Sequence, residues 1–157
     1  VLNVGGNMDV KTPSIRRYRA CEVMLQEAGV DCINACLEQE FNRQTYQVEI
    51  ERLLRQYPQA DGLFSTDLIA LNAMKLLNTH GVNVPDAFSI VGYDGVEISS
   101  LCTPALTHVR QPLQQLADVC VQTLVRKMQG ESLTKNVILE DVELVRGGTT
   151  RPMADPV

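Results

Sequence analysis

The chain has 157 residues, 45% of them apolar and 4% aromatic, and a net charge of −5 from fourteen Lys and Arg against nineteen Asp and Glu. Such a length and apolar content suit one domain with a real core, and the acidic balance without a basic stripe speaks against a nucleic-acid surface on these residues. No apolar run approaches the roughly 18 residues of a membrane span, and Val1-Leu2-Asn3-Val4-Gly5-Gly6 has neither the charged nor the apolar region of a secretion signal.

Taken in chain order, residues 2–4 form a short apolar run ended by Gly5-Gly6, and Thr12-Pro13 supplies an N-cap with Pro at the first helical position. The first helix is expected over residues 13–28, ending at Gly29. Residues 30–37 are a strand candidate. Residues 43–57 carry Val48, Ile50, Leu53 and Leu54 at helical spacing, with Pro58 as a stop. Gly62-Leu63-Phe64-Ser65 is strand-like, Asp67 is a good N-cap, and residues 68–79 are helical before Gly81. A further strand over residues 88–91 precedes a helix over residues 113–128, which ends before Gly130. Residues 137–145 close the ordered chain as one or two extended segments, and residues 151–157, with two prolines, form a frayed tail. There is no internal repeat and no low-complexity tract. Strands alternating with helices predict an α/β fold, a doubly wound parallel sheet with right-handed crossovers.

The five cysteines, at positions 21, 32, 36, 102 and 120, are an odd set placed inside apolar runs, the pattern of reduced, buried thiols in a cytosol. Cys32 and Cys36 share a spacing that a strand could bring to one face, but without further Cys or His nearby they predict core packing and no metal. Enzymatic signatures are missing: no glycine-rich dinucleotide turn, no phosphate loop, no nucleophile elbow. His80 and His108 lie in different elements with no nucleophile beside them. No catalytic residue and no cofactor are expected.

Ser89-Ile90-Val91-Gly92-Tyr93-Asp94-Gly95 reads as a buried parallel strand delivering Asp94 to the sheet's carboxyl end, where open α/β folds bind small molecules. A carboxylate there can accept two hydroxyl donors at once, which suits vicinal sugar hydroxyls; capping the next helix is the plainer alternative. Thr103-Pro104-Ala105-Leu106-Thr107 and then Val109-Arg110-Gln111-Pro112 follow as a Pro-bounded crossing segment. With these motifs, the run from Val84 to Pro112 resembles the effector-binding core of the lac and purine repressor family of bacterial transcription regulators.

The resemblance implies a three-layer α/β/α parallel sheet of the type I periplasmic-binding-protein-like kind. Residues 1–107 would form the distal effector-binding subdomain, residues 108–141 a crossing segment and a helix of the proximal one, residues 142–150 a return, and residues 151–157 a tail. The chain opens on a core strand without a methionine or a helix before it, the look of a piece of a longer protein. In the family the Gly-Tyr-Asp aspartate, here Asp94, is an effector ligand. Arg17 stands three residues before Ala20-Cys21, where relatives have a small residue and an aromatic, and is the candidate fork of donors; Arg16 and Arg19 compete, and a solvated helix face is the alternative. Phe41 falls where relatives stack an aromatic on the effector. Asp67 matches an Asn-Asp pair, and Thr66 departs from it, replacing an amide by a hydroxyl. Gln111 lies in the crossing segment, free to bond ligand or backbone.

Implied partners are a small-molecule effector, sugar or sugar-like, and a second copy of the chain through Leu71, Leu101 and Cys102, for each of which core burial is equally open. Operator DNA would be met only through a separate N-terminal headpiece, in the cytoplasm. The alternatives are the sugar-binding protein of a periplasmic transport system, which shares the fold, and an interaction domain without ligand. The helix over residues 113–128 carries Leu116, Val119, Cys120, Leu124 and Val125 as an apolar stripe whose expected partner strands are not in the chain.

Overall fold

Where the first helix ends decides where the second strand begins. The computed structural model describes residues 1–5, 13–37, 43–132 and 142–152, with α1 over Pro13–Glu27. Gly29, at φ +67°, donates its N–H to the Gln26 carbonyl, and Val30 donates to Leu25. This Schellman closure satisfies carbonyls the last turn leaves over. Val30 is thereby used up in the helix stop, and β2 spans only Ile33–Cys36 instead of the expected 30–37. The same pair of bonds recurs at Gly81 and Gly130.

Among the described residues, six strands form one sheet in the order β2-β1-β3-β4-β5-β6, with β1 Leu2–Gly5, β3 Gly62–Phe64, β4 Ser89–Asp94, β5 Thr107–Arg110 and β6 Glu143–Val145. The chain leaves β1 toward β2 and returns to its other side at β3, so the strand order reverses there. Strand β4 runs past the expected Val91 because Gly92, Tyr93 and Asp94 find partners in His108, Val109 and Arg110. The stretch expected as a crossing segment is thus a strand at its start, reached through the short α4, Ile98–Leu101. The all-parallel expectation fails at β6, which pairs antiparallel with β5. That direction sets Glu143 opposite Arg110, 3.2 Å between Oε2 and Nη1. Thr149 ties β4 and β5 further back: its Oγ1 accepts from the Thr107 N–H at 2.9 Å and donates to the Ile90 carbonyl at 2.7 Å.

Leu2, Leu63 and Ile90 sit in register on one face of the sheet, all buried. Tyr46, Ile50 and Leu53 of α2 (Arg43–Gln56) and Ile69, Ala73, Met74 and Leu77 of α3 (Asp67–Thr79) complete that core. On the opposite face α1 packs over β1, held by the Asn3 side-chain amide donating to the Tyr18 carbonyl at 2.8 Å. No residue of α5 (Leu113–Met128) is buried: Leu124 is 58% exposed and Met128 78%. Leu77→Ala is therefore expected to cost about 2–5 kcal/mol, and Leu124→Ala under about 0.5 kcal/mol, in chemical denaturation. Equal losses would place α5 in the core.

Candidate functional site

Strand β4 ends in a backbone conformation that side chains avoid. Asp94 has φ +135°, followed by Gly95 at +78°, and a Cβ on Gly95 would stand 2.6 Å from the Cα of Arg110. Glycine is required at 95 on both counts. At Asp94 the same region costs a non-glycine residue about 1–3 kcal/mol, strain that persists where surrounding structure over-determines it and that clusters at ligand sites. Two bonds hold it. The Gln111 backbone N–H donates to the Asp94 carbonyl at 3.2 Å, and Gln111 Nε2 donates to Asp94 Oδ1 at 2.8 Å. Asp94→Gly should therefore be more stable than Asp94→Ala by about 1–3 kcal/mol, since both lose the side-chain bond and only glycine relieves the dihedral. Equal melting temperatures would mean that Asp94 is unstrained.

From α1, Arg17 places Nη1 3.8 Å from Asp94 Oδ1, too long for a hydrogen bond, and its Cζ 4.2 Å from the centroid of the Tyr93 ring. The cation is thus steadied by the ring without being locked to the carboxylate. Among the described residues, Oδ2 of Asp94 has no hydrogen-bond partner and the side chain is 33% exposed. Burial pushes the Asp94 carboxyl above its ordinary value; Arg17 and Gln111 pull it back, and the Asp67 charge adds to the rise. An open cleft of about 810 Å³ adjoins the pair, lined by Arg17, Met24, Phe64, Tyr93, Val109 and Gln111 among others. A recess of about 30 Å³ at the ends of β1 and β3 is lined by Gly5, Arg17, Ser65 and Thr66. One acceptor oxygen, a fork of donors and an aromatic wall suit a neutral, polyhydroxylated small molecule.

The structure brings Arg17, Asp94 and Gln111 together and sets Thr66 at the adjoining recess. Gln111 orients Asp94, a use beyond the two foreseen. The N-cap expected at Asp67 is corrected: Thr66 holds the N-cap position of α3 without a side-chain cap bond, and Asp67 is the first helical residue, fully buried. Its Oδ2 accepts from the backbone N–H groups of Gly95 and Val96, each at 2.9 Å, and from Ser99 Oγ at 2.8 Å. Phe41 lies outside the described residues. Leu101 is 75% exposed, beside Ile98 at 60%, whereas Leu71 and Cys102 are half-buried against the core. Sequence reasoning passed over Tyr93 and Phe64. The available signal was alternation along β4, which turns Tyr93 to the face opposite Gly92 and toward α1.

Burial pushes the Cys21 thiol up to about 11, while Cys120 stands exposed on α5. At pH 8 an alkylating reagent should therefore modify Cys120 well before Cys21, since the thiolate is the nucleophile. Mass-spectrometric mapping that finds Cys21 modified first would contradict this.

Residues 3–150 match the model of the periplasmic binding protein-like domain. The chain belongs to that family. As a periplasmic binding protein-like domain it is 32% identical to the ribose operon repressor of Halalkalibacterium halodurans over 123 residues, 78% of this chain and 37% of that protein. It is 28% identical to the HTH-type transcriptional regulator GntR of Escherichia coli over 150 residues, 95% of this chain and 45% of that protein. It therefore spans less than half the length of these curated relatives. Its fold matches the periplasmic binding protein/LacI transcriptional regulator of Alkaliphilus metalliredigens complexed with D-xylulofuranose, at a TM-score of 0.84 and 23% identity over 96% of this chain and 56% of that one. The lac repressor bound to ONPG matches at 0.80 and 25%, over 95% and 45%. The resemblance to the lac and purine repressors is borne out, and so is the α/β fold of the periplasmic-binding-protein kind. Among the described residues no helix is long and apolar enough to cross a membrane.

Proposed function

We propose that this domain is the effector-sensing part of a bacterial DNA-binding transcriptional regulator, and that it binds a sugar or sugar-like metabolite through Asp94. The observation that carries the reading is the state of that carboxylate: strained, held through Oδ1 by Gln111 with the Arg17 guanidinium 3.8 Å from the same oxygen, and open at Oδ2. Vicinal hydroxyls would donate to Asp94 while Arg17 donates to ring or hydroxyl oxygens, and Tyr93, Phe64 and Val109 would meet the apolar faces of the ring. Thr66 would reach the same ligand from the recess. Phe41 keeps its implied stacking role as part of this reading.

Residues 1–107 and 142–150 would act as the distal subdomain, and residues 108–141 would belong with a proximal one. A ligand bridging both favours one closure angle, which sets the spacing of two DNA-reading headpieces in a cytoplasmic homodimer. The exposed Leu101 and Ile98 would meet the second copy. The regulatory names of the curated relatives support this reading over transport.

Thermal denaturation against D-ribose, D-xylulose, D-gluconate, lactose and a set of nucleosides tests it. A concentration-dependent rise in melting temperature with one compound or one close group is expected. No rise with any of them at millimolar concentration would contradict sugar sensing by this chain.

A further inference from the structure

Asp67 is engaged in a way that neither capping nor ligand contact explains. It is fully buried at the start of α3, yet every donor to its Oδ2 comes from the segment immediately after Asp94: the N–H groups of Gly95 and Val96 and the hydroxyl of Ser99. Its Oδ1 presses on β4 two residues before Asp94, so closely that a Cβ on Gly92 would overlap it. One carboxylate thus brackets Asp94 on both sides in the chain. A carboxylate gives up its hydration only where donors replace water. Here the loop supplies three donors to Oδ2, while Oδ1 is buried against β4 without a hydrogen-bond partner among the described residues, so loop and carboxylate fix each other through Oδ2.

From this bracket we propose that Asp67 is a positioning residue, pinning residues 95–99 so that Asp94 is held at positive φ with its carboxylate turned to Arg17 and Gln111. Without it the Gly95 and Val96 amides lose their partner, Asp94 is free to relax toward an ordinary dihedral, and its side chain swings away from Gln111. The functional meaning rests on Asp94 being the sugar acceptor. The geometry itself is testable without any sugar.

The experiment is amide hydrogen exchange by NMR on the intact chain, together with the side-chain amide resonances of Gln111. In Asp67→Ala, Gly95 and Val96 are expected to exchange at least about tenfold faster, and the Gln111 side chain to lose its bonded shift, while Leu63 and Ile90 in the neighbouring strands keep their protection. Asp67→Asn retains an acceptor oxygen and should restore part of the loss, a rescue that simple loss of packing does not give. Should the alanine variant fail to fold, Ser99→Ala, which removes one donor of three, is expected to move the same signals less far. Unchanged Gly95, Val96 and Gln111 signals in these variants would overturn the proposal, as would an equal loss of protection at Leu63 and Ile90. If the wild-type chain binds none of the sugars, the ligand reading falls and these exchange rates still decide the role of Asp67.

Discussion

Asp94→Ala is expected to weaken sugar binding by about 100-fold to 10,000-fold, because two hydroxyl bonds to a carboxylate at about 1.5–3 kcal/mol each disappear together. Calorimetric titration of both proteins reads this directly, and an affinity within about threefold of wild type would remove Asp94 from the site. Burial raises the Asp94 carboxyl above its ordinary value in the folded chain, against the pull of Arg17 and Gln111. A group with a raised folded value contributes stability that is fully present below its unfolded value and is lost as pH rises through the folded one. The unliganded chain should thus lose the Asp94 contribution on going from acid toward neutral pH. Sugar binding runs the other way. It needs the ionised acceptor, so affinity should fall as pH drops through the raised range, and Asp94→Asn should flatten both dependences.

A large loss of stability from a single added methyl is expected at Gly92, where the φ is one any residue adopts and only packing is at stake. Its Cβ would overlap Asp67 Oδ1 and stand 2.6 Å from Leu106 Cδ2. Neither neighbour can yield: Leu106 is 1% exposed within the core, and Asp67 is tethered by three donors. Gly92→Ala should destabilise by about 3 kcal/mol, roughly 10 °C in melting temperature for a chain of this size. Gly62→Ala is the control, since a Cβ there meets the Ser89 carbonyl and Val1 at an ordinary 3.5 Å. Equal melting temperatures for the two variants would show that the contact between α3 and β4 is loose.

Much of this arrangement is legible in the residues. Pro13, Gly29, Gly81 and Gly130 mark helix ends through local backbone chemistry, which acts the same way in any fold. The placement of Asp94 at a strand end is legible from the apolar run before it, and the candidacy of Arg17 from a spacing that survives the change to Ala20-Cys21. Strand β5 is not, since Thr107–Arg110 is short, half polar and followed by Gln111-Pro112, so its pairing depends on what β4 offers. The direction of β6 leaves no trace either, because periodicity reports a face and never an orientation. Asp67 shows the sharpest limit. An aspartate at a helix start has the same sequence signature whether it caps its own helix or reaches across to another loop. Only the fold tells that its donors lie nearly thirty residues on, at Gly95 and Val96. Leu71 and Cys102 illustrate a smaller one: an apolar residue in a helix or turn reads alike for a core and for an interface.

The most direct measurement is NMR chemical-shift mapping on the chain with the sugar of the panel that raises its melting temperature. The largest changes are expected at the Gly95 amide, the Tyr93 ring, the Gln111 side-chain amide and the Arg17 guanidinium, with little change along Arg43–Gln56. Changes centred elsewhere, with Gly95 and Gln111 unmoved, would contradict a sugar site built on Asp94.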